Sequence, residues 1–307
     1  MIPYFSIIIS VYNKADYIGQ TINSVLCQSF SDFEVIIVND GSTDGSLEIM
    51  KSFNDHRLQI IDQTNQGASQ ARNQGISLAK SAYIALLDGD DLWDPYYLES
   101  IHNAIQKHPD KSVFTTAIAH KYKDRIVPVP YSFKQDSAIL ILDYFEASQR
   151  HSALSGSSIV FKKEVLDLTS GFDTTITSGE DTDLWIRIGL HFPIVFISKV
   201  LAYYVYNEDS LSNTSFNIHE KPKFDNYKDE EQTNHFLKKF LDRNRFSLAV
   251  MSKLNDDNDG YIRYRQALSS KNLSLKRRLI VDSPKWLIKL LLKLKSFGGK
   301  KLYYESL

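Results

Sequence analysis

Four short apolar runs, at residues 5–11, 33–38, 58–61 and 83–87, recur through the first ninety residues with helix-patterned stretches between them. No other feature narrows the fold as much. Residues 15–27 place Tyr17, Ile18, Ile22, Val25 and Leu26 at helical spacing. Residues 46–53 follow the capping run Ser42-Thr43-Asp44, and residues 67–79 form a third helical stretch. Runs that stay apolar without alternation suit strands buried on both faces. Strand, helix, strand at this rhythm implies right-handed crossovers and a mostly parallel sheet, an α/β fold.

The pattern loosens after Asp91. A helix is expected from Pro95 towards His108, strands at 113–119 and 126–129, and a helix at 139–147. A strand at 157–161, helices at 163–168 and 184–190, and strands at 194–197 and 201–205 complete the first 215 residues. Beyond about residue 216 the chain reads as helical and charged, with polar and turn-forming residues clustered at 212–228.

Composition excludes several classes. Of the 307 residues, 43% are apolar and 24% charged, and no apolar stretch reaches the roughly 18 residues that span a bilayer. The net charge of −1 gives no reason to expect nucleic acid. The single cysteine, Cys27, precludes an intrachain disulfide and suits a reducing compartment. The opening Met1-Ile2-Pro3 has no basic region before the first apolar run, so a secretory signal is not expected and the location is read as cytoplasmic.

Chemistry collects at the ends of the expected strands. Asp88-Gly89-Asp90-Asp91 follows the fourth apolar run directly, and three crowded carboxylates call for a compensating cation or helix N-terminus. Hard divalent ions take such oxygen ligands, one or two carboxylates at a time, together with phosphate oxygens. Ser10-Val11-Tyr12-Asn13, Asn39-Asp40-Gly41, Asn65-Gln66-Gly67 and Ala71-Arg72-Asn73 end or follow the other strands, and Gly179-Glu180-Asp181-Thr182-Asp183-Leu184-Trp185 comes later. Tyr12 can stack on a base, Asp40 can accept from a base N–H, and Arg72 can bind phosphate or orient an acid. Together they have the parts of a nucleoside diphosphate site at the open end of an α/β sheet.

Taken with 65–67 and 71–73 as one, these five segments, in order from Ser6 to about Ser212, resemble the family 2 glycosyltransferases of GT-A fold. The resemblance implies a nucleotide-sugar-binding half at 1–94, an acceptor-binding half at 95–215, and a helical extension at 216–307. It implies an inverting, hexosyltransferase-type enzyme that uses a divalent metal, Mn²⁺ or Mg²⁺. The donor would be a nucleotide sugar, usually a UDP-sugar, and the acceptor a glycan or lipid-linked glycan of polysaccharide synthesis. By the family pattern Tyr12, Asp40, Arg72, Asp88 and Gly89 bind the nucleotide sugar, and Asp90 with Asp88 holds the metal. Asp181, assisted by Glu180, is the base, and Trp185 meets the acceptor. Asp181 is expected to be ionised, from an intrinsic pKa near 4 and a helix N-terminus. Asn207 stands where many relatives place a histidine. A sugar nucleotidyltransferase and a catalytically silent nucleotide-sugar-binding scaffold are the alternatives.

Plainer roles compete at several positions. Asp44 reads as structural, Trp185 suits core packing equally well, and Ser155-Gly156-Ser157-Ser158 either lines the acceptor side or leads into a strand. The tail is distinctive. Nine Lys or Arg against two acids from Lys276 onward make a net +7, which leaves −8 on the first 275 residues. Residues 284–297 set Lys285, Lys289 and Lys293 at i, i+4 spacing among Trp286 and leucines. Such a helix is expected to lie on an anionic membrane surface, making the protein peripheral; the alternative is docking on protein, including a homodimer seam.

Overall fold

The computed structural model describes residues 2–206, 221–222 and 224–297. Contacts divide the chain into two units, Met1–Ser210 and Leu211–Leu307.

In the first unit the order is β1 (Phe5–Val11), α1 (Ala15–Leu26), β2 (Phe33–Asp40), α2 (Ser46–Lys51), β3 (Leu58–Gln63), α3 (Ala68–Leu78) and β4 (Tyr83–Asp88). Then come β5 (Leu92–Trp93), α4 (Tyr97–Lys107), β6 (Val113–Lys121), β7 (Ile126–Pro128), β8 (Ile139–Leu142), α5 (Tyr144–Ala147), β9 (Ile159–Lys162), α6 (Val165–Thr169), α7 (Glu180–His191) and β10 (Ile194–Val205). One sheet runs β3-β2-β1-β4-β9-β6-β10-β5, with β7 on β6 and β8 on β10. Its long ladders, β3–β2–β1–β4 and β6–β10, are parallel, and the short ones are antiparallel. The central strands are mostly apolar because helices cover both faces, and Ile7, Ile9, Val35, Ile37, Ala85 and Leu87 share one core with Ile18, Ile22 and Val25 of α1, while the polar Ser6 and Glu34 bond each other. Parallel pairing aligns the carboxyl ends of β1, β2 and β4, with Ser10 opposite both Val38 and Asp88. That shared edge positions the site.

Two expectations need correction, and one strand was not expected. Residues 139–142 are a strand, not the start of a helix: Ile139 to Leu142 pair antiparallel with β10, and the Asp143 side chain, accepting from Glu146 N at 2.8 Å, starts the helix afresh. The two strands expected at 194–197 and 201–205 are one strand, whose ladder to β6 is interrupted by bulges between Ile197 and Ala202. The two-residue β5 carries too little pattern to be foreseen.

The second unit is helical where described: α8 (Glu230–Thr233), α9 (His235–Leu254), α10 (Asn258–Ala267), α11 (Leu275–Asp282) and α12 (Lys285–Phe297). Arg245 is buried on α9 between Glu231, at 2.5 Å, and Asp242, at 3.6 Å. No helix among the described residues is long and apolar enough to cross a membrane.

Candidate active site

The loops after β1 and β2 are cross-linked. Asn13, in a left-handed conformation (φ 53°), donates its backbone N–H to Ser42 Oγ (3.0 Å), and its Oδ1 accepts from Thr43 N (2.7 Å). Asp44 accepts from Ala15 N and Ser46 N, a structural role as expected. Tyr12 is left 38% exposed at the strand edge, and among the described residues no ring packs on its face. Asp40 is 2% exposed. Its Oδ1 accepts from Gln63 Nε2 (2.7 Å) and Gln66 N (2.9 Å), and its Oδ2 from Gly67 N (2.8 Å). Asp40 therefore holds the loop 65–67 in shape.

Arg72 is the hub of the crevice. Its side chain is 9% exposed, with Nη2 2.8 Å from Asp88 Oδ1 and Nη1 2.8 Å from Glu180 Oε1. Nη1 is also 3.4 Å from Asp181 Oδ1, and the guanidinium lies over the Phe172 ring at 5.1 Å. One cation on α3 thus draws together the end of β4 and the start of α7. Neighbouring acids, which outweigh the cost of burial, hold its pKa well above the usual arginine range. Asp181 Oδ1 is shut in and accepts no hydrogen bond. The side chain keeps 32% exposure, chiefly away from Oδ1, yet desolvation, opposed by Arg72 but reinforced by Glu180 and Asp88, pushes the Asp181 carboxyl up to about 7. The expected value near 4 is corrected: burial among acids outweighs the favourable helix N-terminus. Gly156 lies against both carboxylates. A Cβ there would stand 3.2 Å from Asp88 Oδ2 and 3.3 Å from Asp181 Oδ2, so a larger residue would press on both carboxylates.

The three aspartates after β4 are not equivalent. Asp91 is buried, and its carboxylate accepts from Ser157 Oγ and from Val205 N (3.0 Å), tying the turn to β10. Burial and the Asp88 and Asp90 charges push its pKa well up. Gly89 carries the turn past β1, where a Cβ would stand 3.1 Å from Ser10 O. Asp90 is ion-paired with Lys14. Burial raises the Asp90 pKa against the pull of Lys14, while Asp90 more than offsets the effect of burial on Lys14 and raises the lysine. Lys14 and Arg72 therefore compensate Asp90 and Asp88 from within the protein. Lys14 escaped sequence reasoning, since a lysine in a loop carries no pattern; Ser157 stands out in the sequence within the run 155–158, but not as a partner of Asp91.

Asp88 and Asp90 still suit a divalent ion. Both are oxygen donors at the same turn, Asp88 keeps 29% side-chain exposure, and Mg²⁺ commonly takes two carboxylates with phosphate oxygens as the remaining ligands. Among the described residues no three His, Cys, Asp or Glu side chains are grouped to hold a metal. Asn207 lies outside the described residues.

The segment leading to α7 is clamped onto α3. Asn73 Nδ2 donates to Phe172 O (2.8 Å) and Phe172 N donates to Asn73 Oδ1 (2.9 Å). Asp183 accepts from Arg187 Nε (2.9 Å), and Arg187 Nη1 donates to Gly171 O (2.9 Å). Trp185 is 3% exposed, edge-on to Phe172 at 6.3 Å. This burial favours the core-packing role that the sequence offered equally with contact to the acceptor.

Residues 6–168, just over half of the chain, match the family described as Glycosyl transferase family 2. The chain belongs to that family, and its sheet and helices form the GT-A type of α/β fold. An uncharacterized glycosyltransferase of Rickettsia bellii is 32% identical over 203 residues, 65% of this chain and 29% of that protein. One of Rickettsia typhi is 30% identical over 217 residues, 70% of this chain and 68% of that protein. The chain thus spans under a third of the first relative's length. Among solved structures, S. aureus TarS superposes with a TM-score of 0.67 at 23% identity, covering 90% of this chain and 52% of that one. TarS 1–349 in complex with UDP-GlcNAc superposes with a TM-score of 0.61 at 22% identity, covering 87% and 93%.

Proposed function

We propose that this protein is an inverting glycosyltransferase that moves a sugar from a nucleotide sugar, a UDP-sugar foremost, to a hydroxyl of a glycan or lipid-linked glycan. The observation that carries the reading is the Arg72 hub, which brings Asp88 and the Glu180-Asp181 pair to one crevice at the strand edge. Family membership supports it, as does the solved complex of the similarly folded TarS with UDP-GlcNAc.

In this reading Tyr12 stacks on the base, and Asp40 shapes the base pocket through loop 65–67 with acceptor capacity left for a base N–H. Asp88 faces the ribose and sugar, and Asp88 and Asp90 would hold the Mn²⁺ or Mg²⁺. That ion would supply neutralisation of the charge developing on the diphosphate. Asp181 takes the proton of the acceptor hydroxyl as its oxygen attacks the anomeric carbon from the face opposite the diphosphate. The new C–O bond forms while the bond to the diphosphate breaks, and the electron pair leaves with the phosphate oxygen. A base with a pKa of about 7 is matched to neutral pH, half-available there yet basic enough to accept the proton. Glu180, hydrogen-bonded to Arg72, orients the pair or contacts the acceptor.

A thermal-shift panel of nucleoside diphosphates and nucleotide sugars, with and without Mn²⁺, tests this. A ligand at about a hundred times its Kd stabilises by roughly 2.7 kcal/mol. One nucleotide class should stabilise the protein more in Mn²⁺. No stabilisation by any nucleotide would defeat the reading.

A further inference from the structure

The second unit carries an apolar face that its own core does not use. On α11, Ile280 and Val281 are buried while Leu275 and Leu279, four residues apart, are 76% and 74% exposed. On α12, Ile288 is buried while Trp286, Leu290 and Leu294 form an i, i+4, i+8 row that is 67%, 45% and 60% exposed. Each helix is thus already docked by one face, and the outward residues form a second one. Single exposed leucines need no explanation, but rows of large apolar side chains at helical spacing do.

Charge identifies what covers them. Lys289 is exposed one position before Leu290, and Lys276 one position after Leu275. Lys285 is drawn aside into an ion pair with Asp256, at 2.5 Å. The segment from Lys276 onward holds nine basic residues against two acids, on a chain whose net charge is −1. A seam between two copies would set this basic segment against itself. An anionic bilayer offers the opposite charge beside an apolar layer. At thirteen residues α12 measures roughly 20 Å, too short to span, so it lies in the interface.

We propose that the exposed faces of α11 and α12 dock on an anionic lipid bilayer, with Trp286, Leu290 and Leu294 entering the headgroup layer and Lys289 and its neighbours meeting lipid phosphates. Trp93 and Trp185 are each 3% exposed and shielded from lipid, so a change in tryptophan fluorescence on binding reports chiefly on Trp286. The test mixes the full chain with vesicles of phosphatidylcholine, with or without phosphatidylglycerol. Expected are co-sedimentation and a blue shift with the anionic vesicles only, lost in Leu290→Gln/Leu294→Gln. Each lysine removed, as in Lys289→Gln, should lower partitioning on the order of 5-fold, and high salt should suppress it. Should the double variant fail to fold, quenching of Trp286 by brominated lipid in the unaltered chain decides instead. Failure to bind anionic vesicles, equal binding to neutral ones, absent quenching, or self-association through these residues without vesicle binding would each overturn the proposal.

Discussion

Arg72 Nη1 stands 3.4 Å from Asp181 Oδ1, close enough for strong attraction, yet that oxygen accepts no hydrogen bond. The guanidinium spends its direct hydrogen bonds on Asp88 and Glu180. Asp181 is therefore held near a cation without being fully satisfied by it, and its carboxyl rises to about 7. A proton acceptor in waiting has this combination.

The pH dependence follows. Asp181 acts as a base only when deprotonated, so kcat/KM should rise with pH through about 7. Stability should move the other way. The folded pKa lies above the unfolded value of about 3.9, so the native state binds the proton more tightly between the two. Stability attributable to this group is present below about pH 4 and is lost as pH rises through about 7. Asp181→Asn should lose about 10²–10⁴ in rate yet melt higher than the unaltered protein above pH 7. Rate profiles and melting curves on the same pH series check both; an Asp181→Asn variant near full activity removes the residue from the mechanism.

Arg72 should be the costliest crevice residue to replace. Arg72→Met leaves Asp88, Glu180 and Asp181 without their shared cation, and breaking such a buried pair typically costs about 3–5 kcal/mol. The deficit should shrink as pH falls below about 7, where Asp181 protonates and one charge leaves the cluster. Arg72→Lys should rescue little, because one ammonium cannot reach two elements with a fork. Denaturant melts at pH 5.5 and 8 measure the difference.

The adjacent aspartates should separate cleanly. Asp90→Asn should abolish the Mn²⁺-dependent part of nucleotide binding and leave the fold intact. Asp91→Asn should keep metal dependence but lose about 1–3 kcal/mol, because both Asp91 oxygens accept hydrogen bonds and an amide supplies only one acceptor. Lys14→Met removes a competing cation from Asp90, so half-saturation should come at lower Mn²⁺. Titrations of Mn²⁺ against nucleotide-induced stabilisation check all three. Normal metal dependence in Asp90→Asn would dismiss the site.

How far the sequence could be read depended on where each signal lies. The βαβ half was legible because its buried strands are mostly apolar, and its candidate site residues sit at strand ends within local runs. Ile139 to Leu142 misled because a short apolar run suits helix or strand alike, and only pairing with β10 decides. The partners that set the site's electrostatics are remote: Arg72 meets Glu180 across 108 residues, and Asp91 meets Val205 across 114. No local spacing encodes those meetings. Trp185 shows the converse limit, since a helix's sequence does not say which face turns to the core.

Trp185 should therefore behave as a packing residue. Trp185→Ala should destabilise by about 3–5 kcal/mol, while Trp185→Phe, which keeps an aromatic against Phe172, should cost less. In folded Trp185→Phe the acceptor KM should be unchanged. A large KM rise with normal stability would return the residue to the acceptor site.

The most direct test of glycosyl transfer is product analysis with a panel of nucleotide sugars, Mn²⁺ and a hydroxyl acceptor. Nucleoside diphosphate should be released from at least one UDP-sugar, with inversion at the anomeric carbon, and release should collapse in Asp90→Asn and Asp181→Asn. Release of pyrophosphate instead, or tight nucleotide binding with no turnover across the panel, would contradict the account.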